Sequence, residues 1–130
     1  MLDGYVLGSY SARRLGLKTT GNAGGIHNLI VEAQGGGFGP AEFLARLGRG
    51  FLVTELMGQG VNGVTGDYSR GASGFWVEHG AIEHAVQEVT IAGNLKNMYL
   101  DIAAVGSDTD ARGAIRTPSL LISEMTIAGE

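Results

Sequence analysis

Apolar and polar positions along this chain alternate in short bursts, and glycine separates most bursts from the next. In residues 5–10, Tyr5, Leu7 and Ser9 fall on one face and Val6, Gly8 and Tyr10 on the other, which predicts a short strand. Residues 11–17 suit either an extended edge, from Leu15 and Leu17, or one helical turn, from Ala12 to Arg14. The pairs Gly21-Asn22 and Gly24-Gly25 predict a loop over residues 19–25. Residues 27–33 set Asn28, Ile30 and Glu32 against His27, Leu29, Val31 and Ala33, the alternation of a half-buried strand, closed by Gly35-Gly36-Gly37.

Pro40 stands where a helix tolerates proline, in its first turn, and Phe43, Leu44 and Leu47 then share one face of a short helix over residues 41–47. Gly48 and Gly50 end it, with Arg46 and Arg49 complementing its negative end. Residues 51–57 predict an apolar strand, and residues 58–71 a polar loop punctuated by Gly58, Gly60, Gly63, Gly66 and Gly71. Residues 72–78 and 81–91 form a hairpin candidate with His79-Gly80 at its tip. Leu95, Met98, Tyr99 and Ile102 recur at helical spacing and predict a helix over residues 94–104, ended by Gly106. Residues 118–127, with Leu120, Ile122 and Met125, predict the final strand.

One hexapeptide recurs: Glu-Val-Thr-Ile-Ala-Gly at residues 88–93 and Glu-Met-Thr-Ile-Ala-Gly at residues 124–129. Two copies do not make a solenoid, so they predict two strands with related packing roles, each ending on a glycine. Strands and helices that do not strictly alternate favour the α+β class. The expected fold is a β-rich single domain over residues 1–130, of curved, mainly antiparallel sheets, sandwich- or barrel-like, with one or two short helices.

Composition narrows the function classes. The 23 glycines lack a Gly-x-y period, which excludes collagen and points to tight turns and bulges. A formal charge of −4, with one small basic cluster of Arg13, Arg14 and Lys18, argues against nucleic-acid and anionic-membrane partners. The absence of cysteine removes disulfides, thiol nucleophiles and thiolate metal ligands, and fits a reducing cytoplasmic setting. No apolar run reaches the length of a membrane span, and the N-terminus lacks a signal-peptide pattern.

Candidate chemistry is sparse. The glycine pairs lack the Gly-Lys-Ser/Thr ending of a phosphate loop, so Gly35 to Gly39 suits a turn better than an anion site at the next helix. His79 and His84 flank the hairpin tip beside Glu78 and Glu83, five apart rather than at the four-residue helical spacing of a zincin, with no evident third ligand. Solvated hairpin charge is their default, and His27 at a strand start suits a structural role. None of Ser9, Ser11, Ser69 and Ser73 lies in a Gly-x-Ser-x-Gly elbow. Thr65, Asp67, Tyr68, Ser69 and Arg70 concentrate an acid, a phenol, two hydroxyls and a guanidinium between glycines. They suit either a group that hydrogen-bonds a peptide or an Asp67–Arg70 pair that merely organises a turn.

Residues 54–62, Thr-Glu-Leu-Met-Gly-Gln-Gly-Val-Asn, and residues 65–78, Thr-Gly-Asp-Tyr-Ser-Arg-Gly-Ala-Ser-Gly-Phe-Trp-Val-Glu, resemble the C-terminal region of the PmbA/TldD family, in its PmbA (TldE) branch. Residues 9–17, 21–28, 88–95 and 124–129 extend the resemblance over nearly the whole chain. It implies a C-terminal fragment of a longer PmbA-type protein, the subunit that pairs with a TldD-type partner in a cytoplasmic metallopeptidase. That complex proteolyses peptides, including peptide-antibiotic maturation and antitoxin turnover, and the family's older label is modulator of DNA gyrase. The resemblance places the metal in the TldD-type partner, with its His-Glu-x-x-x-His motif and C-terminal cysteine. The motif would lie upstream of this segment, but the cysteine would fall within residues 115–127 and is missing, so no catalytic residue, metal ligand or cofactor is expected in this chain.

Thr65, Asp67, Tyr68, Ser69 and Arg70 are then the expected lining of a peptide cavity. An unpaired edge at residues 5–10 would favour self-association. Two rivals stand beside this reading: a self-standing metal-dependent peptidase using His27, His79 or His84, and a purely structural protein-interaction module.

Overall fold

The computed structural model describes residues 4–129. In chain order its elements are α1 (Ser9–Leu15), β1 (Leu29–Ile30), α2 (Pro40–Leu47), β2 (Gly50–Met57), β3 (Asp67–Glu78), β4 (Ala81–Asn94), α3 (Leu95–Leu100), β5 (Ile102–Val105), β6 (Ile115–Arg116), β7 (Leu120–Ile122) and β8 (Thr126–Ala128). The class is β-rich α+β as expected, with three helices rather than one or two, and its sheets stay open. Two compact units divide the chain: Met1–Val31 with Asp110–Thr117, and Glu32–Thr109 with Pro118–Glu130.

In the first unit α1 ends on Gly16, whose φ of 67° is the left-handed conformation a glycine adopts without steric cost. β1 and β6 pair in parallel, Leu29 with Ile115 and Ile30 with Arg116, so only two of the residues 27–33 form the expected strand. The strand expected at residues 5–10 does not form. The Leu7 N–H donates to Thr20 Oγ1 at 2.8 Å, the Leu7 carbonyl accepts from the Thr20 N–H at 3.0 Å, and the helix takes over at Ser9. Side-chain hydroxyls thus engage the backbone of Leu7, where alternation alone assigned a strand.

The second unit is organised by the antiparallel sheet β2-β3-β4-β8 and by the pair β5-β7. Pro40 occupies the first turn of α2 as expected, and Phe43 is the residue this helix buries. The β3–β4 hairpin is longer than expected, because β3 begins at Asp67 and β4 runs to Asn94. At its tip His79 and Gly80 have φ of 51° and 75°, the paired positive values of a type I′ turn, whose twist matches that of the strands. Bulges shift the register between Val53 and Glu55 on β2, and twice on β4, opposite Ala72 to Gly74 and opposite Trp76 to Val77 of β3. Each adds local bend and twist, which curves the sheet. Ala72, Val89 and Ile91 form its buried core, with Phe51, Val53, Tyr68, Val86 and Met125 packed around them.

The recurring hexapeptide has a structural counterpart. Thr90, Ile91 and Ala92 of β4 pair antiparallel with Ala128, Ile127 and Thr126 of β8, so the two copies lie side by side about the Ile91–Ile127 pair. A Cβ on Gly129 would press on the Val89 side chain, and one on Gly93 would approach Met98 and Met125. Each closing glycine thus lets the second residue of the other copy pack closely.

Two expectations need correction. The helix over residues 94–104 stops at Leu100: the Asp101 N–H closes it on the Asn97 carbonyl, and Ile102–Val105 instead pairs with Leu120–Ile122. Tyr99, counted on the apolar face, is 69% exposed, so the helical period buries too little to compete with the β5–β7 ladder. The strand over residues 118–127 is likewise two short strands, β7 and β8, in different sheets.

Candidate functional site

The five cavity-lining candidates lie on a turn and the start of a strand rather than in one long loop. Asn62 builds the turn: its Oδ1 accepts from the N–H groups of Val64 at 2.9 Å and Thr65 at 3.2 Å, the local bonding that makes Asn a turn former. The Gly66 N–H returns to the Asn62 carbonyl, and the Asn62 N–H reaches the Asp67 carbonyl, both at 2.8 Å. Gly60 passes so close to Ser69 that a Cβ there would fall on the Ser69 carbonyl.

From Asp67 onward strand alternation separates the candidates. Tyr68 and Arg70 are half-buried on the face that carries Ala72, while Asp67 and Ser69 are exposed on the other. Asp67 and Arg70 therefore do not pair. Asp67 accepts instead from Thr65 Oγ1 at 2.6 Å and from Asn94 Nδ2 at 3.3 Å. Asn94 also donates to the Thr65 carbonyl at 3.1 Å, and its Oδ1 caps α3 by accepting from the Lys96 N–H at 3.1 Å. Thr65 and Asp67 organise the turn, and Asn94 is the member of this group that the sequence pattern missed. An Asn directly before a helical period was the available signal.

Tyr68 and Arg70 line two different pockets. Tyr68 lies in an open groove of about 420 Å³ with Phe43, Leu56, Ile91, Met98 and Met125 among its walls. Arg70 lines a smaller pocket of about 230 Å³ with Gly58, Gln59 and Val61. The guanidinium Nε of Arg70 is buried and has no hydrogen-bond partner among the described residues.

His79 and His84 sit at and beside the hairpin tip. His84 pairs across the hairpin with Trp76, three residues from His79 at the tip, or about 10 Å of strand. Both ring and acid are exposed where His84 Nδ1 lies 4.0 Å from Glu83. Among the described residues no group of three or more His, Cys, Asp or Glu side chains could hold a metal ion. Among the described residues no helix is long and apolar enough to cross a membrane.

Comparison with known proteins gives a uniform result. The profile of the PmbA/TldA metallopeptidase C-terminal domain matches residues 1–129. Metalloprotease PmbA of Escherichia coli O157:H7 is 55% identical over 130 residues, covering 100% of this chain and 28% of that protein. The Metalloprotease PmbA homolog of Haemophilus influenzae is 51% identical over 129 residues, covering 99% of this chain and 28% of that protein. The chain thus spans under a third of the length of these relatives.

Two crystal structures share the fold. A candidate modulator of a DNA gyrase from Thermotoga maritima MSB8 superposes with a TM-score of 0.82 at 34% identity, over 93% of this chain and 29% of that one. A second from Bacteroides thetaiotaomicron VPI-5482 gives 0.82 at 29% identity, over 99% of this chain and 29% of that one.

Proposed function

The chain belongs to the PmbA/TldD metallopeptidase family as its C-terminal domain, and from that premise we propose that it forms a non-catalytic wall of a peptide-handling chamber. In this reading the segment is part of a PmbA (TldE)-type subunit in a cytoplasmic complex. A TldD-type partner supplies the metal that activates water, and the complex proteolyses peptides such as antibiotic precursors and antitoxins. The residues of this segment orient the peptide.

The groove around Tyr68 carries the proposal. Its walls are mostly apolar, and Phe43, Leu56 and Met98 come from different elements, as in a site that receives side chains rather than a metal. Methionine adapts to varied side chains, which suits a chamber handling more than one peptide.

Leu56→Lys tests the groove. Leu56 lines it yet is 39% exposed, so a lysine there reaches solvent at little folding cost while placing charge where an apolar side chain would bind. In the assembled complex, peptide cleavage should fall about tenfold, the equivalent of ~1.4 kcal/mol, with unchanged circular dichroism. Undiminished cleavage by a correctly assembled complex would remove the groove from peptide handling.

A further inference from the structure

We infer that the pocket beside Arg70 is a carboxylate site, taking an acidic side chain or the C-terminal carboxylate of a bound peptide. This deepens the proposed function and rests on it for the identity of the ligand.

Arg70 carries a shielded donor without a partner among the described residues. Arg70 is half-buried on β3, opposite Ile91, and its Nε is shielded from solvent without a hydrogen-bond partner. No ion pair or side-chain hydrogen bond among the described residues involves its guanidinium. A shielded donor left unpaired is costly, and one on a charged group more so. The nearest acid in sequence, Asp67, is turned to the opposite face and engaged by Thr65 and Asn94.

The pocket is built to complement an anion. Its walls are Gly58, Gln59, Val61 and Arg70, which combine a cation and a neutral amide donor and include no carboxylate. About 230 Å³ is below the usual range for whole small-molecule ligands, and matches one side chain or chain terminus. Gly58, with φ of 74°, keeps one wall free of a side chain. The flat guanidinium offers parallel N–H groups that match the two oxygens of a carboxylate, which an ammonium does not.

The test is equilibrium binding of fluorescent peptides to the complete protein carrying this segment, assembled with its TldD-type partner. Four peptides are compared: one with a glutamate, its glutamine counterpart, and neutral versions ending in a free carboxylate or an amide. The wild type should prefer a carboxylate over its amide by about tenfold to a hundredfold, as a charge-assisted hydrogen bond warrants. The glutamate arm and the terminal arm identify the source. In Arg70→Gln the preference should collapse to about unity, and Arg70→Lys should restore only part of it, because it returns charge without the fork. A preference absent from the wild type, or retained in Arg70→Gln, overturns the inference. Carboxylate-dependent binding without any cleavage would keep the site and refute the peptidase reading, whereas cleavage without a carboxylate preference would do the reverse.

Discussion

Replacing Asn94 with alanine removes three contacts that hold the turn before β3 against the start of α3. Lost are its donations to the Thr65 carbonyl and to Asp67 Oδ1, at 3.1 and 3.3 Å, and its cap on the Lys96 N–H. The cap contributes about 1 kcal/mol. The two donations contribute about 1 kcal/mol together, because each is partly exposed and exchanges with water. A local loss of ~2 kcal/mol corresponds to about 30-fold faster amide exchange where opening limits it. Exchange followed by mass spectrometry should show this at the Gly66 and Leu95 amides, which donate to the carbonyls of Asn62 and Gly66. Asn94→Asp separates the two roles. Its carboxylate still caps α3 but cannot donate and faces Asp67, so the turn should loosen while α3 keeps its protection. Protection of the Gly66 amide within about twofold of wild type in Asn94→Ala would refute the view that this side chain organises the site.

Two further outcomes follow from the sheet and its connections. Gly74→Ala should destabilise by about 1–3 kcal/mol, because a Cβ there would overlap the Leu52 carbonyl and stand 3.1 Å from the Thr54 N–H; an unchanged urea midpoint would contradict that packing. Asp108 accepts from Ser119 Oγ at 2.6 Å and Ser119 N–H at 3.0 Å, which holds its carboxyl below the usual carboxylate range. Its contribution is therefore full above the unfolded value of about 3.9 and is lost as pH falls through the depressed folded value. The stability gap between wild type and Asp108→Asn should narrow below that pH, and a constant gap would show that the carboxylate adds nothing.

Local signals in the sequence carried the elements whose stabilisation is local. Pro40 and Gly48 mark the two ends of α2, and His79-Gly80 marks the hairpin tip through its backbone requirement. Non-local pairing decided the rest. The period of Leu95, Met98, Tyr99 and Ile102 gives no sign that Ile102 pairs with Ile122, so it predicts a longer helix than the one that forms. Gly71 resembled loop punctuation because sequence alone does not show Met57 packed 3.5 Å from where its Cβ would be.

The candidate site was legible as a cluster but not as a geometry. Once β3 is known to begin at Asp67, alternation assigns Tyr68 and Arg70 to one face and Asp67 and Ser69 to the other. Glycine punctuation, which predicts a loop over these residues, conceals that division. It also made an Asp67–Arg70 pair plausible, although the strand holds the two side chains apart. The recurring hexapeptide predicted related strands, while their direct pairing about Ile91 and Ile127 required the structure.

The central claim, that this segment shapes a peptide chamber while a partner supplies the metal, is tested most directly by one paired measurement. Elemental analysis and peptide cleavage would be recorded together on the protein carrying this segment, alone and assembled with a TldD-type subunit. The account predicts metal and cleavage only in the assembled complex. Stoichiometric metal in the protein alone, with cleavage abolished by chelation and by substitution of His27, His79 or His84, would contradict it.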